Sequence, residues 1–392
     1  MNDVRILDFT RVLAGPWASQ MLADQGADVI KVEPPEGDET RGFAPAVGSV
    51  STYFLCANRN KRSITLDLRT EEGREIARAL AARADVVLEN FRPGVMERLG
   101  LGDDVLRRDH PRLISVAIHA FGAEGPAAWT ARPGYDLVLQ AMGGGMSITG
   151  TPDGPPVRSG APQADLLAGL QAVQAVLLAL LHREKTGEGQ KIVVNMMQGQ
   201  WASLVYHATR FLVTGEVESR RGSAHRGLVP YDTFPCADGW ITIACGNDAI
   251  WRRLCEVLDI EAREDWQTNA GRVADRQAVD AAVRARTCAD SMDSLDGRLA
   301  RAGVPAGKVL EVDQVARHPV VHSVSVAHPV LGQVQLPGPT LQTATTRLHH
   351  SAPPSLGADR DGILAEIGWD SNRIAVAAAA GAFGAVRPAD AG

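Results

Sequence analysis

Asp165 stands in Ser159-Gly-Ala-Pro-Gln-Ala-Asp-Leu-Leu-Ala-Gly169, a carboxylate at the opening of an apolar stretch with helical spacing. Two kinds of chemistry suit it. As a helix N-cap its side chain would accept hydrogen bonds from the free N–H groups of the first turn. As a nucleophile it would attack an activated carbonyl, and a helix N-terminus favours the ionised form that does so. Spacing alone leans to the cap and leaves both readings open. Upstream, Arg132-Pro-Gly-Tyr-Asp136 sets Tyr135 beside Asp136, and Gly143, Gly144 and Gly145 follow. Such a cluster is either a flexible turn or a set of unobstructed N–H donors for a developing oxyanion. His318-Pro-Val-Val-His322 pairs two histidines, but Pro319 disfavours the helix that a zinc site of this spacing needs, and its glutamate is absent, so no metal site is expected. His119, in Ile118-His-Ala-Phe-Gly122, either faces a crevice or is a satisfied structural histidine.

Positioning such groups requires a scaffold, and the pattern supplies one. Short β-branched runs at 4–9, 28–33, 63–67, 85–89, 113–117 and 191–195 alternate with helical patterns. This predicts an α/β fold with a Rossmann-like, mainly parallel sheet over residues 1–200. Residues 71–83 read as an amphipathic helix. From 165 to 183, Leu166, Leu170, Val173, Leu177 and Leu180 recur on one face, which is expected to meet the core. Residues 201–225 read as a linker, 226–325 as a smaller α/β domain, and 371–392, rich in Ala and Gly, as a frayed helix or mobile tail. The turn Thr10-Arg-Val-Leu-Ala-Gly-Pro16 has one glycine where a dinucleotide cradle needs three, so NAD is not expected.

Composition narrows the partners. The chain has 392 residues, 45% hydrophobic, with 40 Lys plus Arg against 46 Asp plus Glu. A formal charge of -6 argues against nucleic acid or an anionic membrane as general partner. Five scattered cysteines without Cys-x-x-Cys spacing indicate free thiols. No signal-like segment precedes the first strand and no apolar run is read as spanning a bilayer, so a soluble cytoplasmic protein is expected.

The motifs also occur in a collinear order. Arg5-Ile-Leu-Asp-Phe9, Ala14-Gly-Pro16, Val29-Ile-Lys-Val-Glu33, Asn60-Lys-Arg-Ser63, Glu89-Asn-Phe-Arg-Pro-Gly94, Arg132-Pro-Gly-Tyr-Asp136 and the Asp165 context together resemble the class III coenzyme A transferases, from about residue 4 to 369. That superfamily includes carnitine-CoA and formyl-CoA transferases and alpha-methylacyl-CoA racemase. The resemblance implies that Asp165 is the residue that becomes acylated. It implies coenzyme A contacts at Ala14, Arg41, Arg69, Asn90, Phe91 and Arg98, and an active-site lining of Leu13, Tyr135, Asp136, Gly144, His225 and Arg226. It further implies that 326–370 returns to the large domain, and that two chains form an interlocked homodimer. Acyl-CoA and a small carboxylic acid would be the substrates, with no permanently bound cofactor.

Two departures bear on the substrate. Leu13 replaces the glutamine of the formyl-CoA branch, and Ala224-His-Arg-Gly-Leu228 stands for its tetraglycine loop. A cationic pair at His225 and Arg226 would suit a dicarboxylate such as succinate. The racemase branch has a histidine where this chain has Tyr135, and a phenol with reference pKa about 10 poorly replaces imidazole in proton exchange. Transfer is therefore favoured, with racemisation and non-catalytic CoA binding as the alternatives.

Overall fold

The alternation of side chains along the first strands settles the layering. In the computed structural model, which describes residues 1–261, 263–341 and 350–384, Ile6, Val29, Val86 and Leu88 face one apolar core and Leu7, Ile30, Val32 and Val87 the other. Both faces of the sheet are thus covered, as a parallel sheet requires. Its strands are β1 (Arg5–Asp8), β2 (Asp28–Glu33), β3 (Lys61–Thr65), β4 (Val86–Glu89), β5 (Ile114–His119) and β6 (Lys191–Asn195). All pair in parallel, in the order β3-β2-β1-β4-β5-β6. The order reverses between β1 and β4, so a ligand crevice belongs at the carboxyl ends of these strands.

Helices α1 (Ala14–Asp24), α2 (Glu71–Ala81), α3 (Asp136–Met142) and α4 (Gln163–Thr186) frame that crevice and its supports. The expected leucine face of α4 is only partly buried, with Val173 and Leu180 packed at the edge of the core. The helix buries Ala164, Ala168, Gly169, Ala172, Ala175, Val176 and Ala179, packed with Ala14, Ala18 and Leu22 of α1. Leu170 and Leu177 are 51% and 48% exposed. Proximity is the cause: a Cβ on Gly169 would lie 2.9 Å from both the Ala14 carbonyl oxygen and the Trp17 ring, so only small residues fit this seam. By length and composition α4 is apolar enough to cross a membrane, which corrects the reading that no run qualifies; here its alanine stripe lies in the core.

Contacts divide the chain into two units. The first comprises Met1–Gly145, Arg158–Val213 and the chain from His322 onward; the second comprises Met146–Val157 and Thr214–Val321. The stretch read as a linker contains the helix Tyr206–Thr214. In the second unit, β7 (Tyr231–Cys236), β8 (Gly239–Ala244) and β9 (Ala306–Lys308) form an antiparallel sheet. Its helices Asp248–Leu258, Arg276–Thr287 and Met292–Arg301 close a core around Phe234, Ile241 and Trp251. Arg272 is fully buried there, donating to the carbonyl oxygens of Val229 (2.7 Å) and Trp266 (2.9 Å) and to Asp248 (2.8 Å). Those bonds offset the cost of removing its charge from water.

The returning segment packs against the outer face of the first sheet. Asp359 accepts the Ser63 N–H at 2.8 Å, and the helix Arg360–Glu366 buries Ile363 and Leu364. The expected tail is ordered over much of its length. The helix Ser371–Ala379 is capped by Asp370 and buries Ala377, and the Ala382 carbonyl accepts from Asp67 N–H at 2.7 Å. Residues 385–392 of that reading lie outside the described residues.

Candidate active site

Asp165 does not cap its helix. Pro162 occupies the N-cap position of α4, which places Asp165 third in the helix, in its first turn. The capping bond comes from elsewhere in the fold: Asp136, at the start of α3, accepts the Ala164 N–H through Oδ1 at 2.8 Å. Its Oδ2 accepts from Gln140 Nε2 at 2.7 Å, and Gln140 Oε1 accepts the Ser159 N–H at 2.8 Å. Asp136 and Gln140, one helical turn apart, thus hold the segment that leads into α4. Burial, and then the negative charge of Asp136, push the Asp165 carboxyl up to about 7. Tyr53 senses the same charges. Burial, followed by Asp165, Cys56, Asp136 and Asp38, pushes its phenol up to about 12, so it stays a neutral hydroxyl.

Opposite stands the loop between β1 and α1, fixed from below by buried charges. Lys31 donates to Asp38 Oδ2 at 2.8 Å and to the Thr10 carbonyl at 3.0 Å. Asp8 accepts from Thr10 and Ser19 and pairs with Lys61 at 3.3 Å. Burial outweighs the attraction of Asp8 and lowers Lys61 to about 8. Asn90 brackets the next residue: its Oδ1 accepts the Arg11 N–H at 2.9 Å and its Nδ2 donates to the Arg11 carbonyl at 2.8 Å. Between these clamps Val12 has φ +67°, a conformation that costs a β-branched residue energy and persists only where surroundings enforce it.

Two cavities open at the strand ends. One of about 510 Å³ is lined by Phe9, Leu68, Arg69, Val95 and Leu99. The second, about 270 Å³, contains Asp165, Leu13, Ala14, His119 and Tyr135. Arg11, Glu39 and Phe91 line both, so they share a wall, with the Arg11 guanidinium 5.2 Å from the Phe91 ring centre.

The residues singled out by sequence therefore separate. Leu13, Ala14, Phe91, Tyr135 and Asp165 meet at the second cavity, with Asn90 at its edge as a backbone clamp. Tyr135 is 65% exposed. Asp136 acts on the Asp165 helix rather than lining the space. Arg69 lines the first cavity but is paired with Asp67 at 2.8 Å. Arg98 is exposed on the short helix Val95–Arg98. Arg41 departs most from expectation. Two nitrogens bind Glu33 at 2.7 Å, a further bond reaches the Pro354 carbonyl, and the group stacks 3.7 Å over Phe54. Its guanidinium is engaged inside the fold, while 21% of the side chain stays accessible. Gly144 serves packing: φ is +89°, and a Cβ there would sit 2.9 Å from Leu204. His225 and Arg226 belong to the second unit, where Arg226 binds Glu218 at 2.8 Å and the His225 ring lies 5.2 Å from that of Tyr231, tilted by 51°.

Arg11, Arg92 and Arg132 line the second cavity and were not assigned from sequence. For two of them a signal existed. Arg11 follows the carboxyl end of β1 and Arg92 that of β4, where ligand groups gather in doubly wound sheets. Among the described residues no cluster of three or more metal-ligating side chains occurs, and the five cysteines are free thiols.

Comparison with known proteins gives one consistent result. The family model for CoA-transferase family III matches residues 1–360. Succinate--glutarate CoA-transferase of Agrobacterium fabrum is 38% identical over 383 residues, spanning 94% of this chain and 95% of that protein. Succinyl-CoA:glutarate CoA-transferase of Mus musculus is 37% identical over 377 residues, spanning 94% and 86%. A solved CAIB/BAIF family protein from Brucella suis superposes with TM-score 0.84 at 38% identity, covering 93% of this chain and 98% of that one.

Proposed function

This chain belongs to CoA-transferase family III, and from that premise we propose that it moves coenzyme A from an acyl-CoA, with succinyl-CoA the favoured donor, to a free dicarboxylic acid through Asp165. The observation that carries the reading is the Asp165 carboxylate in the cavity wall, relieved of capping by Asp136. The named relatives act on succinyl and glutaryl groups, and Arg11, Arg92 and Arg132 around the same cavity supply charge that suits carboxylates.

The cycle balances without an added proton. Asp165 attacks the thioester carbonyl; the C–S bond breaks, giving an acyl-aspartyl anhydride and CoA thiolate. The thiolate attacks the aspartyl carbonyl of that anhydride, the donor acid leaves as a carboxylate, and an aspartyl-CoA thioester remains. The acceptor carboxylate attacks this thioester and expels the thiolate again. Attack of the thiolate on the acceptor's carbonyl then releases acyl-CoA and regenerates Asp165. Each step passes one negative charge along, and each intermediate must be kept from water.

Isotopic exchange between succinyl-CoA and a panel of free acids tests the proposal. Exchange should appear for short dicarboxylates and vanish in Asp165→Ala. Its absence across the panel in the unaltered protein would sink the reading. The working form is proposed to be a homodimer, in keeping with the bare Leu170, Leu177, Leu178 and Leu181 of α4. Light scattering reads this directly.

A further inference from the structure

His119 ends β5, beside the end of β4, and it is only 6% exposed. Its Nε2 lies 3.4 Å from Glu89 Oε1, and that carboxylate is fixed in turn because its Oε2 accepts the Phe91 N–H at 2.7 Å. Its Nδ1 is buried and has no hydrogen-bond partner among the described residues. The ring lines the cavity that holds Asp165. Buried polar atoms are paired in the great majority of cases, so an orphan nitrogen on a ring that lines a ligand cavity calls for a partner that arrives from outside.

The second nitrogen tells which kind of partner. A ring nitrogen facing a carboxylate carries the proton, and the other then presents a lone pair. A free carboxylate, which only accepts, finds no donor there; Arg11, Arg92 and Arg132 serve that need around the same space. An N–H group does fit. In an acyl-CoA, the donor nearest the reacting sulfur is the amide N–H of the pantetheine arm, two methylenes away.

We infer that His119 is a further substrate-binding residue, its Nδ1 accepting a hydrogen bond from the pantetheine amide N–H nearest the thioester. The inference rests on the proposed CoA chemistry of this cavity. Glu89 is the positioning residue that sets the tautomer. Bond formation would relieve the buried nitrogen, so the contact is expected to govern affinity for the CoA portion and to leave the acid alone.

Two variants and one analogue test it. His119→Leu removes the acceptor; His119→Asn keeps an acceptor oxygen near the Nδ1 position. With succinyl-CoA, the leucine variant should raise KM for the thioester roughly 5- to 30-fold, the range expected for losing a buried hydrogen bond. KM for the acceptor acid should stay constant, which also reports an intact site, and the asparagine variant should recover most of the loss. With a succinyl-CoA analogue bearing an ester oxygen in place of that amide N–H, wild type and His119→Leu should bind alike. A change in the acid KM with the thioester KM unmoved, or an undiminished difference with the analogue, overturns the inference. Calorimetry with coenzyme A alone separates it from the proposed activity. Weaker binding by the leucine variant without any exchange by wild type would refute the transferase reading only, while exchange with equal CoA affinities would refute the His119 contact only.

Discussion

Replacing Asp165 by Asn should abolish activity and stabilise the protein, by an amount that depends on pH. Carried from 3.8 to about 7 by folding, the carboxyl disfavours its charged form by about 4 kcal/mol at roughly 1.4 kcal/mol per pH unit. The direction follows from linkage. A carboxyl whose folded pKa is raised contributes stability that is complete below 3.8 and is lost as pH rises toward about 7. Asparagine has no proton to lose. Its advantage in urea unfolding should therefore be near zero at about pH 4, grow through the window, and level off at about 4 kcal/mol by about pH 8. Over the same range kcat should be down by about a thousandfold or more, as for loss of a covalent nucleophile. A stability difference that is constant with pH, or an asparagine variant weaker than wild type at about pH 8, would refute the account of a carboxylate held against burial and a like charge.

Other substitutions address the supports. Asp136→Ala should lower stability by about 1 kcal/mol through the lost cap; with a negative charge removed, the Asp165 limb of the rate–pH profile should move to lower pH, and an upward move would contradict the geometry. Ala172→Leu should destabilise by about 1–3 kcal/mol or more by overfilling the seam of α4, whereas Leu177→Ala should change monomer stability by no more than about 0.5 kcal/mol while weakening the proposed dimer; denaturant melts and light scattering compare the two. Mass spectrometry should detect no solvent deuterium beside the thioester carbonyl when wild type is incubated with acyl-CoA and no acceptor, as expected if the phenol of Tyr135 stands where the resemblance puts the racemase histidine. Its appearance would restore the racemase alternative.

Strands were legible because a parallel sheet buried on both faces needs unbroken β-branched runs, and all six runs form strands within a few residues of their expected ends. Faces of helices were less so. Hydrophobicity pointed to the leucines of α4, but the close approach to α1 selects for alanine and glycine, and spacing alone does not reveal how near a neighbour lies. Partnership was the least visible property. Arg41 looked like a free cation until Glu33, eight residues earlier, came to share its two nitrogens. Asn90 lines the second cavity and also grips the Arg11 backbone, a second role that spacing does not show. The segment 206–214 carried too weak an apolar pattern beside its Gly- and Arg-rich neighbour to be told from a linker. Asp165 drew the cap reading from its place in the sequence, but the carboxylate that accepts the Ala164 N–H is Asp136, 28 residues before Ala164, and local spacing cannot connect them.

That division of labour between Asp136 and Asp165 separates reactivity from folding. Were the proposed nucleophile also the cap, converting it to an anhydride would strip the α4 entry of its acceptor, and the helix end would loosen and reform with every turnover. With the acceptor lent by another helix, the side chain of Asp165 could pass through the anion, anhydride and thioester of the proposed cycle while the turn beneath it keeps the same bond. The enzyme can then alter one atom's chemistry repeatedly without renegotiating the shape of the site around it.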